Sequence, residues 1–139
     1  MEDKYAKFLI KDYTCWSIQV HEYQNYIGRC IVWCKRPDAL DLTEATPAER
    51  DELLVVLKDL RQAITKAFQP DWFNYAFLGN ETRHLHGHFI PRYAKSREFM
   101  GVKFEDKRWG HNYETDKGFQ ISTAVLMAIK DKIGEGLLP

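Results

Sequence analysis

The segment "TPAERDELLVVLKDLRQAITKAF", residues 46–68, predicts one long amphipathic helix. Thr46 is a candidate N-cap, Pro47 suits the first helical position, and Glu49 can complete a capping box by reaching back to the Thr46 amide. Apolar residues then recur at spacings of three and four, which gives the helix one apolar face to lay on a sheet. These residues are Leu53, Leu57, Leu60, Ile64 and Phe68.

Two extended segments precede this helix and two follow it. Residues 16–23 alternate between polar and apolar, and after a turn "RCIVWCK", residues 29–35, is typical of a second strand, so the two predict an antiparallel hairpin. "WFNYAFL", residues 72–78, is rich in aromatic residues, and "HLHGHFI", residues 84–90, predicts a fourth strand.

The C-terminal part of the chain predicts a final helix from about Asp116 to Ile133, with Gly134 as its left-handed cap. Residues 94–115 lack a regular pattern and are expected to be irregular. The order of elements therefore predicts an α+β domain, with an antiparallel sheet of about five strands, one long central helix and a C-terminal helix.

Length and charge restrict the class of protein. The 139 residues suit one domain, so we expect residues 1–139 to form a single unit. Twenty basic residues balance twenty acidic ones, which disfavours long-range attraction to nucleic acid or to an anionic membrane. The start "MEDKYAKF" is unlike a signal peptide and no apolar run approaches the ~18 residues of a membrane span, so we expect a cytoplasmic protein.

The three cysteines indicate neither structural disulfides nor a structural metal site. Cys15, Cys30 and Cys34 are odd in number and lack CxxC spacing, which argues against a disulfide framework and against a zinc knuckle. We expect buried, reduced thiols.

Three histidines alternate in "RHLHGHFIPRY", residues 83–93. In an extended strand, side chains two residues apart point the same way, about 6.5 to 7 Å apart, so His84, His86 and His88 should form one row. Gly87 faces the other side. Because glycine weakens a strand interior, we expect a helix or an aromatic ring to pack tightly there.

Three interpretations of this row are open. The histidines are either polar positions on a solvated sheet face, or ligands of a zinc ion that also recruits His21, His111, a cysteine or a carboxylate, or catalytic imidazoles. In the third case a neutral imidazole attacks phosphorus to give a phosphoramidate, while its neighbours orient it and stabilise the phosphate oxygens.

The triad resembles a known signature. "HLHGHFIPR" is similar to the pattern of the HIT family of nucleotide hydrolases and transferases: His, any, His, any, His and two apolar residues. "GRCIVWCKRP" resembles the strand that enters the family's first long helix, and "DLTEATPAERDELL" resembles the start of that helix. "FQPDWFNYAFLGNETRHLHGHFIPRY" resembles a HIT-like branch of largely uncharacterised proteins.

The resemblance implies roles for individual residues. His86 would attack the α-phosphorus of a nucleotide, His84 would orient His86, and His88 would contact the phosphate and the departing group. Asn80 stands four residues before the first histidine, where the family's hydrolases carry a side chain that touches phosphate or leaving group. A role in the turn with Gly79 is the alternative for Asn80.

Further expectations concern the two arginines beside the triad and the apolar residues around the base of the nucleotide. Arg83 and Arg92 are both candidates to attract polyphosphate, although their opposite parity argues against joint action. Candidate residues for an apolar slot around the base are Ile18, Ile31 and Leu42.

The chain also departs from the family. Pro37 stands where many members have a further histidine, which predicts reduced or altered activity. Residues 94–113 have no counterpart in the small dinucleotide hydrolases. Trp109, His111 and Tyr113 could form a lid, lengthen a dimer contact, or pin a surface loop.

The expected function is hydrolysis or transfer of a nucleotidyl group through a covalent phosphoramidate on His86, with a dinucleoside polyphosphate or a nucleoside phosphoramidate as substrate. A catalytically weak nucleotide-binding protein and a metal-dependent hydrolase are the alternatives. No cofactor is required for the histidine step, and Mg²⁺ on a polyphosphate substrate would be an aid. The expected partners are the nucleotide and, by resemblance alone, a second copy in a twofold dimer joined at an edge of the first hairpin.

Overall fold

The computed structural model describes residues 6–137, and a five-stranded antiparallel sheet is its centre. Each neighbouring pair of strands is antiparallel, and the strand order is β1-β2-β3-β5-β4. The strands are β1 (Leu9–Asp12), β2 (Trp16–Val20), β3 (Cys30–Cys34), β4 (Trp72–Ala76) and β5 (His86–Arg92). The predicted α+β fold is confirmed.

Within the five-stranded sheet, strand β1 is the one that the sequence did not predict, because its four residues are too few to show an alternating pattern. It pairs with β2, while β3 pairs with β5. The hairpin of β2 and β3 therefore has no free edge, so the expected edge strand in that hairpin was wrong, whereas the dimer itself stays a prediction. The sheet edges are β1 and β4.

The long helix α1 spans Pro47–Phe68. Its predicted capping box is confirmed: the Thr46 hydroxyl accepts a hydrogen bond from the Glu49 amide, and the Glu49 carboxylate accepts one from the Thr46 amide. The Trp16 indole N–H donates to the Glu49 carbonyl at 2.9 Å, which fixes the start of α1 on β2. Residues of β2 on the parity of Trp16 therefore lie on the helix side of the sheet.

The C-terminal helix α2 spans Thr123–Glu135, shorter at its start than predicted. Ser122 caps it by accepting a hydrogen bond from the Val125 amide. The prediction of a left-handed cap at Gly134 was wrong, since α2 continues past it to a C-cap at Gly136 with φ −81°. A Cβ on Gly136 would lie 2.9 Å from Ala63, so glycine there allows α2 to approach α1 closely.

The region after β5 is more regular than expected. It contains a small hairpin of β6 (Arg97–Phe99) and β7 (Val102–Phe104). Met100 and Gly101, with φ of 52° and 78°, form its two-residue turn, and positive φ at both central positions suits the twist of a hairpin. Residues 105–116, called the cover segment below, are irregular as predicted.

Two further observations concern sequence predictions. The three cysteines are free, but only Cys30 and Cys34 are buried, whereas Cys15 is partly exposed. Among residues 6–137, no helix is long and apolar enough to cross a membrane.

Candidate active site

An aromatic ring packs closely against the back of the triad strand. A Cβ on Gly87 would lie 2.5 Å from the Phe77 ring, closer than any side chain can come. The predicted tight packing against Gly87 is thus confirmed, and of the two expected partners it is an aromatic ring that supplies it. The register pairs Trp33 with His86 and Ile31 with His88, so these four side chains share the opposite face of the sheet, called the triad face below.

His86, the predicted nucleophile, is oriented by the backbone. Its Nδ1 lies 2.6 Å from the His84 carbonyl oxygen, and because a carbonyl only accepts, Nδ1 must carry the proton. In the neutral ring, the lone pair is then on Nε2. The residue is 8% exposed at the first position of β5. This tautomer is the one a nucleophilic Nε2 requires.

His84 acts through its main chain and lies just before β5, not within a strand as predicted. Its Nε2 donates to the Cys34 carbonyl at 2.6 Å, and its ring stacks on Trp33 with centroids 4.4 Å apart and planes 14° apart. Held by both contacts, His84 presents its own carbonyl to His86. This geometry agrees with the orienting role that the resemblance implies.

His88 has the opposite tautomer. Its Nδ1 lies 3.2 Å from a terminal nitrogen of Arg29, and since a guanidinium only donates, Nδ1 accepts. In the neutral ring the proton is then on Nε2, which becomes a hydrogen-bond donor. Burial, then the charges of Arg29 and His86, lower the pKa of His88 to about 4, so the ring is neutral near pH 7.

Two neighbours of His88 were not predicted as parts of a triad site. His21, considered only as a zinc ligand, has its ring 5.7 Å from that of His88, and burial, then Arg29 and His88, lower its pKa to about 3. Arg29 is 2% exposed. The available signal was a cation at the entry to the apolar run "CIVWC", which a solvated position would not require.

The other candidate residues are placed as follows. Asn80 and Arg83 are exposed on the connection between β4 and β5, and their roles remain predictions. Ile18 is fully buried on the helix side, so its proposed place around a base was wrong. Ile31 is half-buried on the triad face and Leu42 is exposed.

Arg92 is not available to polyphosphate, contrary to expectation. Its Nε and one terminal nitrogen bind both carboxylate oxygens of Asp106 at 2.7 and 3.0 Å. The remaining three N–H groups donate to the Asn74 side chain, the His111 carbonyl and the Arg108 carbonyl. All five donors of Arg92 are therefore occupied.

The cover segment contributes both side chains and backbone carbonyls to its contacts with the sheet. His111 supplies its carbonyl to Arg92, while its side chain and that of Trp109 are exposed. The Tyr113 ring packs edge-on against Tyr26 and under the Arg29 guanidinium. Within residues 6–137, no three His, Cys, Asp or Glu side chains are grouped so that they could hold a metal ion.

Comparison with known proteins supports this arrangement. The model of the HIT domain family matches residues 4–95, about two thirds of the chain. A search of curated proteins found no significant match.

Several solved structures share the fold. A histidine triad protein from Sinorhizobium meliloti has a TM-score of 0.70 at 19% identity, covering 99% of this chain and 96% of its own. A hypothetical histidine triad nucleotide-binding protein from Sulfolobus tokodaii has a TM-score of 0.69 at 17% identity, covering 94% and 83%. A zinc-bound histidine triad family protein from Mycobacterium smegmatis has a TM-score of 0.62 at 16% identity, covering 92% and 84%.

The match of the family model includes the whole triad and the strand, turn and helix that position it. At the level of the family, this supports nucleotide binding and a hydrolase or transferase activity. The chain therefore belongs to the HIT domain family.

Proposed function

We propose that this protein transfers a nucleotidyl group from a nucleotide substrate to Nε2 of His86 and then to a second acceptor. The observation that carries the proposal is the hydrogen bond from His86 Nδ1 to the His84 carbonyl. It fixes the proton on Nδ1 and leaves the Nε2 lone pair as the nucleophile in the neutral ring. The proposed substrates are dinucleoside polyphosphates and nucleoside phosphoramidates.

The first step forms a bond between His86 Nε2 and the α-phosphorus. The bond from phosphorus to the leaving group breaks, and its electron pair leaves with that group. His88, neutral near pH 7 and with its proton on Nε2, supplies a hydrogen bond to a phosphate oxygen or to the leaving atom. Such a donor stabilises the charge that develops in the transition state.

The second step returns the enzyme to its starting state. A water oxygen or a phosphate oxygen attacks the same phosphorus, the P–N bond breaks, and its electron pair returns to Nε2. Water loses a proton to solvent, and the overall reaction is hydrolysis. Attack by a phosphate makes the protein a transferase.

The remaining parts of the proposal follow from the family resemblance. Asn80 and Arg83 are proposed contacts of the phosphate chain, Mg²⁺ is proposed only as a companion of a polyphosphate substrate, and the protein is proposed to be a twofold dimer. Asn80 and Arg83 are exposed next to the triad in sequence, which leaves their side chains free to meet a ligand.

The test is to detect the covalent intermediate. Wild type and His86→Ala are mixed with diadenosine polyphosphates and with adenosine phosphoramidate, quenched, and examined by intact mass and by peptide mapping. We expect a nucleotidyl group on His86 in wild type and loss of turnover on the order of 10⁴-fold or more in His86→Ala.

His111→Ala is a matched control, because it also removes a histidine but one whose exposed side chain lies away from the triad. It should form the adduct as wild type does. Turnover by His86→Ala at the wild-type rate would contradict the proposal.

A second candidate is a nucleotide-binding protein with little turnover, which Pro37 favours because it replaces a histidine found in many relatives. In that case calorimetry would show nucleotide binding by wild type, while no adduct would form with any substrate. The Pro37→His variant would then gain measurable adduct formation.

A further inference from the structure

Arg29 is a buried cation without an anionic partner among residues 6–137. It is 2% exposed, yet no carboxylate within residues 6–137 lies within ion-pair distance of it. Its Nε is buried and donates to nothing in the described part of the chain. Burial of an unpaired charge is costly, so a protein that retains one needs a reason connected with its site.

The contacts that Arg29 does make connect two parts of the molecule. One terminal nitrogen donates to Nδ1 of His88 at 3.2 Å. The other donates to the Thr115 hydroxyl at 2.7 Å, and the guanidinium lies over the Tyr113 ring at 5.2 Å from its centroid. Tyr113 and Thr115 belong to the cover segment and fall outside residues 4–95, which match the family model.

We infer that Arg29 is a positioning residue of the triad, which fixes the proton of His88 on Nε2, and that Tyr113 and Thr115 hold Arg29 in place for this purpose. This inference deepens the proposed function and rests on it for its effect on turnover. It also gives the cover segment a role, since that segment supplies two of the three contacts of the guanidinium.

The chemistry of His88 requires such a partner. A neutral imidazole can carry its proton on either nitrogen, and the hydrogen bond at one nitrogen decides the other. With Arg29 donating to Nδ1, only Nε2 can present a proton to a phosphate oxygen. Without Arg29, the two tautomers would compete, and part of the protein would present a lone pair where a donor is needed.

The charge of Arg29 also favours an anion in the site. The titratable groups near the His88 ring are Arg29 before β3, His21 after β2 and His86 on β5, and β4 places Ala76 opposite His88. None of these is acidic. A buried guanidinium beside the neutral rings of His21 and His88 therefore leaves a positive potential that a phosphate group entering the site would neutralise.

The test measures the tautomer of His88 directly, by long-range ¹⁵N–¹H NMR of the histidine rings without substrate, together with a pH titration and with kcat and KM. In wild type we expect the proton of His88 on Nε2 and no protonation of the ring down to pH 5. In Arg29→Met we expect a mixture of tautomers and a titration midpoint raised toward pH ~6.5.

In kinetic terms, Arg29→Met should lower kcat about tenfold to a hundredfold, the equivalent of one hydrogen bond to a charged group, with a smaller change in KM. Arg29→Lys keeps the charge and a donor, so it should restore part of the Nε2 tautomer and part of kcat. Thr115→Val, which removes one contact of Arg29, should shift the tautomer in the same direction as Arg29→Met but less.

Arg50→Met is the matched control, because Arg50 is exposed on α1, away from the triad face. It should leave the NMR signature and kcat unchanged. If Arg29→Met fails to fold, Arg29→Lys and Thr115→Val decide the same question.

A proton on Nδ1 of His88 in wild type would overturn the inference, and so would an unchanged tautomer together with unchanged kcat in the folded Arg29 variants. The NMR readout needs no turnover. Failure of the proposed function, seen as no adduct on His86, is therefore distinguishable from failure of the inference.

Discussion

Arg29 and Arg92 are two buried arginines on the triad face with opposite surroundings. Arg92 is 3% exposed, forms a bidentate ion pair with Asp106, and uses each of its five N–H groups. Arg29 is 2% exposed, has a hydroxyl, an imidazole nitrogen and an aromatic ring as partners, and leaves its Nε without an acceptor in the described residues.

The difference separates a cation that is neutralised within the structure from one to which we assign a role in the site. Arg92 joins β5 to the cover segment, since Asp106 and the carbonyls of Arg108 and His111 all belong to that segment. A fully neutralised ion pair gives the site no net charge. Arg29, in contrast, has no ion pair in the described residues and donates to His88, so in the inferred role the protein gives up some stability for chemistry at that position.

The largest expected effect comes from Asp106→Ala. This change leaves Arg92 buried without its anion, and it also removes the acceptor of the Tyr93 and Arg108 amides. We expect the free energy of unfolding to fall by about 3 to 5 kcal/mol, measured by urea denaturation. Asp51→Ala, an exposed acid on α1, should change stability by no more than about 0.5 kcal/mol.

Equal denaturation midpoints for Asp106→Ala and Asp51→Ala would show that the ion pair of Arg92 with Asp106 contributes little to the free energy of unfolding. The comparison of the two arginines would then fail on its structural side.

Acid should destabilise the protein through the surroundings of Arg29. Burial and nearby positive charge lower the pKa of His21 to about 3 and of His88 to about 4, whereas in the unfolded chain both titrate near 6.5. Below pH 6.5 the unfolded state therefore binds more protons than the folded state, and stability falls as the pH decreases. Between pH 7 and pH 5 we expect a loss of roughly 2 to 4 kcal/mol.

Denaturation at a series of pH values checks this expectation. The window above pH 5 keeps Glu49 ionised in both states, since Arg36 holds the pKa of that carboxyl at about 2 in the folded protein. Arg29→Met should show a smaller loss, because one of the nearby cations is gone. A stability that is flat from pH 7 to pH 5 in wild type would contradict the assignment of neutral histidines.

The smallest expected effect is that of Asn74→Ala. The Asn74 side chain accepts one of the five hydrogen bonds of Arg92 at 2.8 Å, and Asp106 remains in place after the change. We expect a loss of about 1 to 2 kcal/mol in thermal or urea unfolding, with the triad unaffected. Asn112→Ala, which removes an exposed amide in the cover segment, is the control and should be close to neutral. If both variants behave alike, the network around Arg92 is looser than its distances indicate.

The sequence predicted the elements whose signals are local. The capping box of α1 was predicted from Thr46 and Glu49, since both partners lie within one turn of each other. The tight contact behind Gly87 was predicted as well, because a glycine inside a strand indicates a close neighbour. Strand β1 and the true ends of α2 were missed, because short pairings and close helix contacts depend on residues distant in sequence.

The same distinction holds within the candidate site. The three histidines and the proposed nucleophile among them were predicted from spacing and from the family resemblance, and the structure adds the tautomer of each ring. Arg92 was misjudged because its partner Asp106 lies 14 residues away in a segment without a regular pattern. Arg29 and His88 are 59 residues apart in sequence, and the residues around neither of them predict the contact.

By itself, the sequence determined that this chain has three alternating histidines at the start of a strand, a capped helix to support the sheet, and membership in the HIT family. Periodicity, capping and motif spacing are properties of residues close together along the chain, so they can be recognised without the tertiary structure. Only the tertiary structure decided which nitrogen of each histidine carries the proton and which buried arginine keeps its charge for the site. Those outcomes depend on hydrogen-bond partners and desolvation, and both are set by residues that meet only when the sheet and its cover segment assemble.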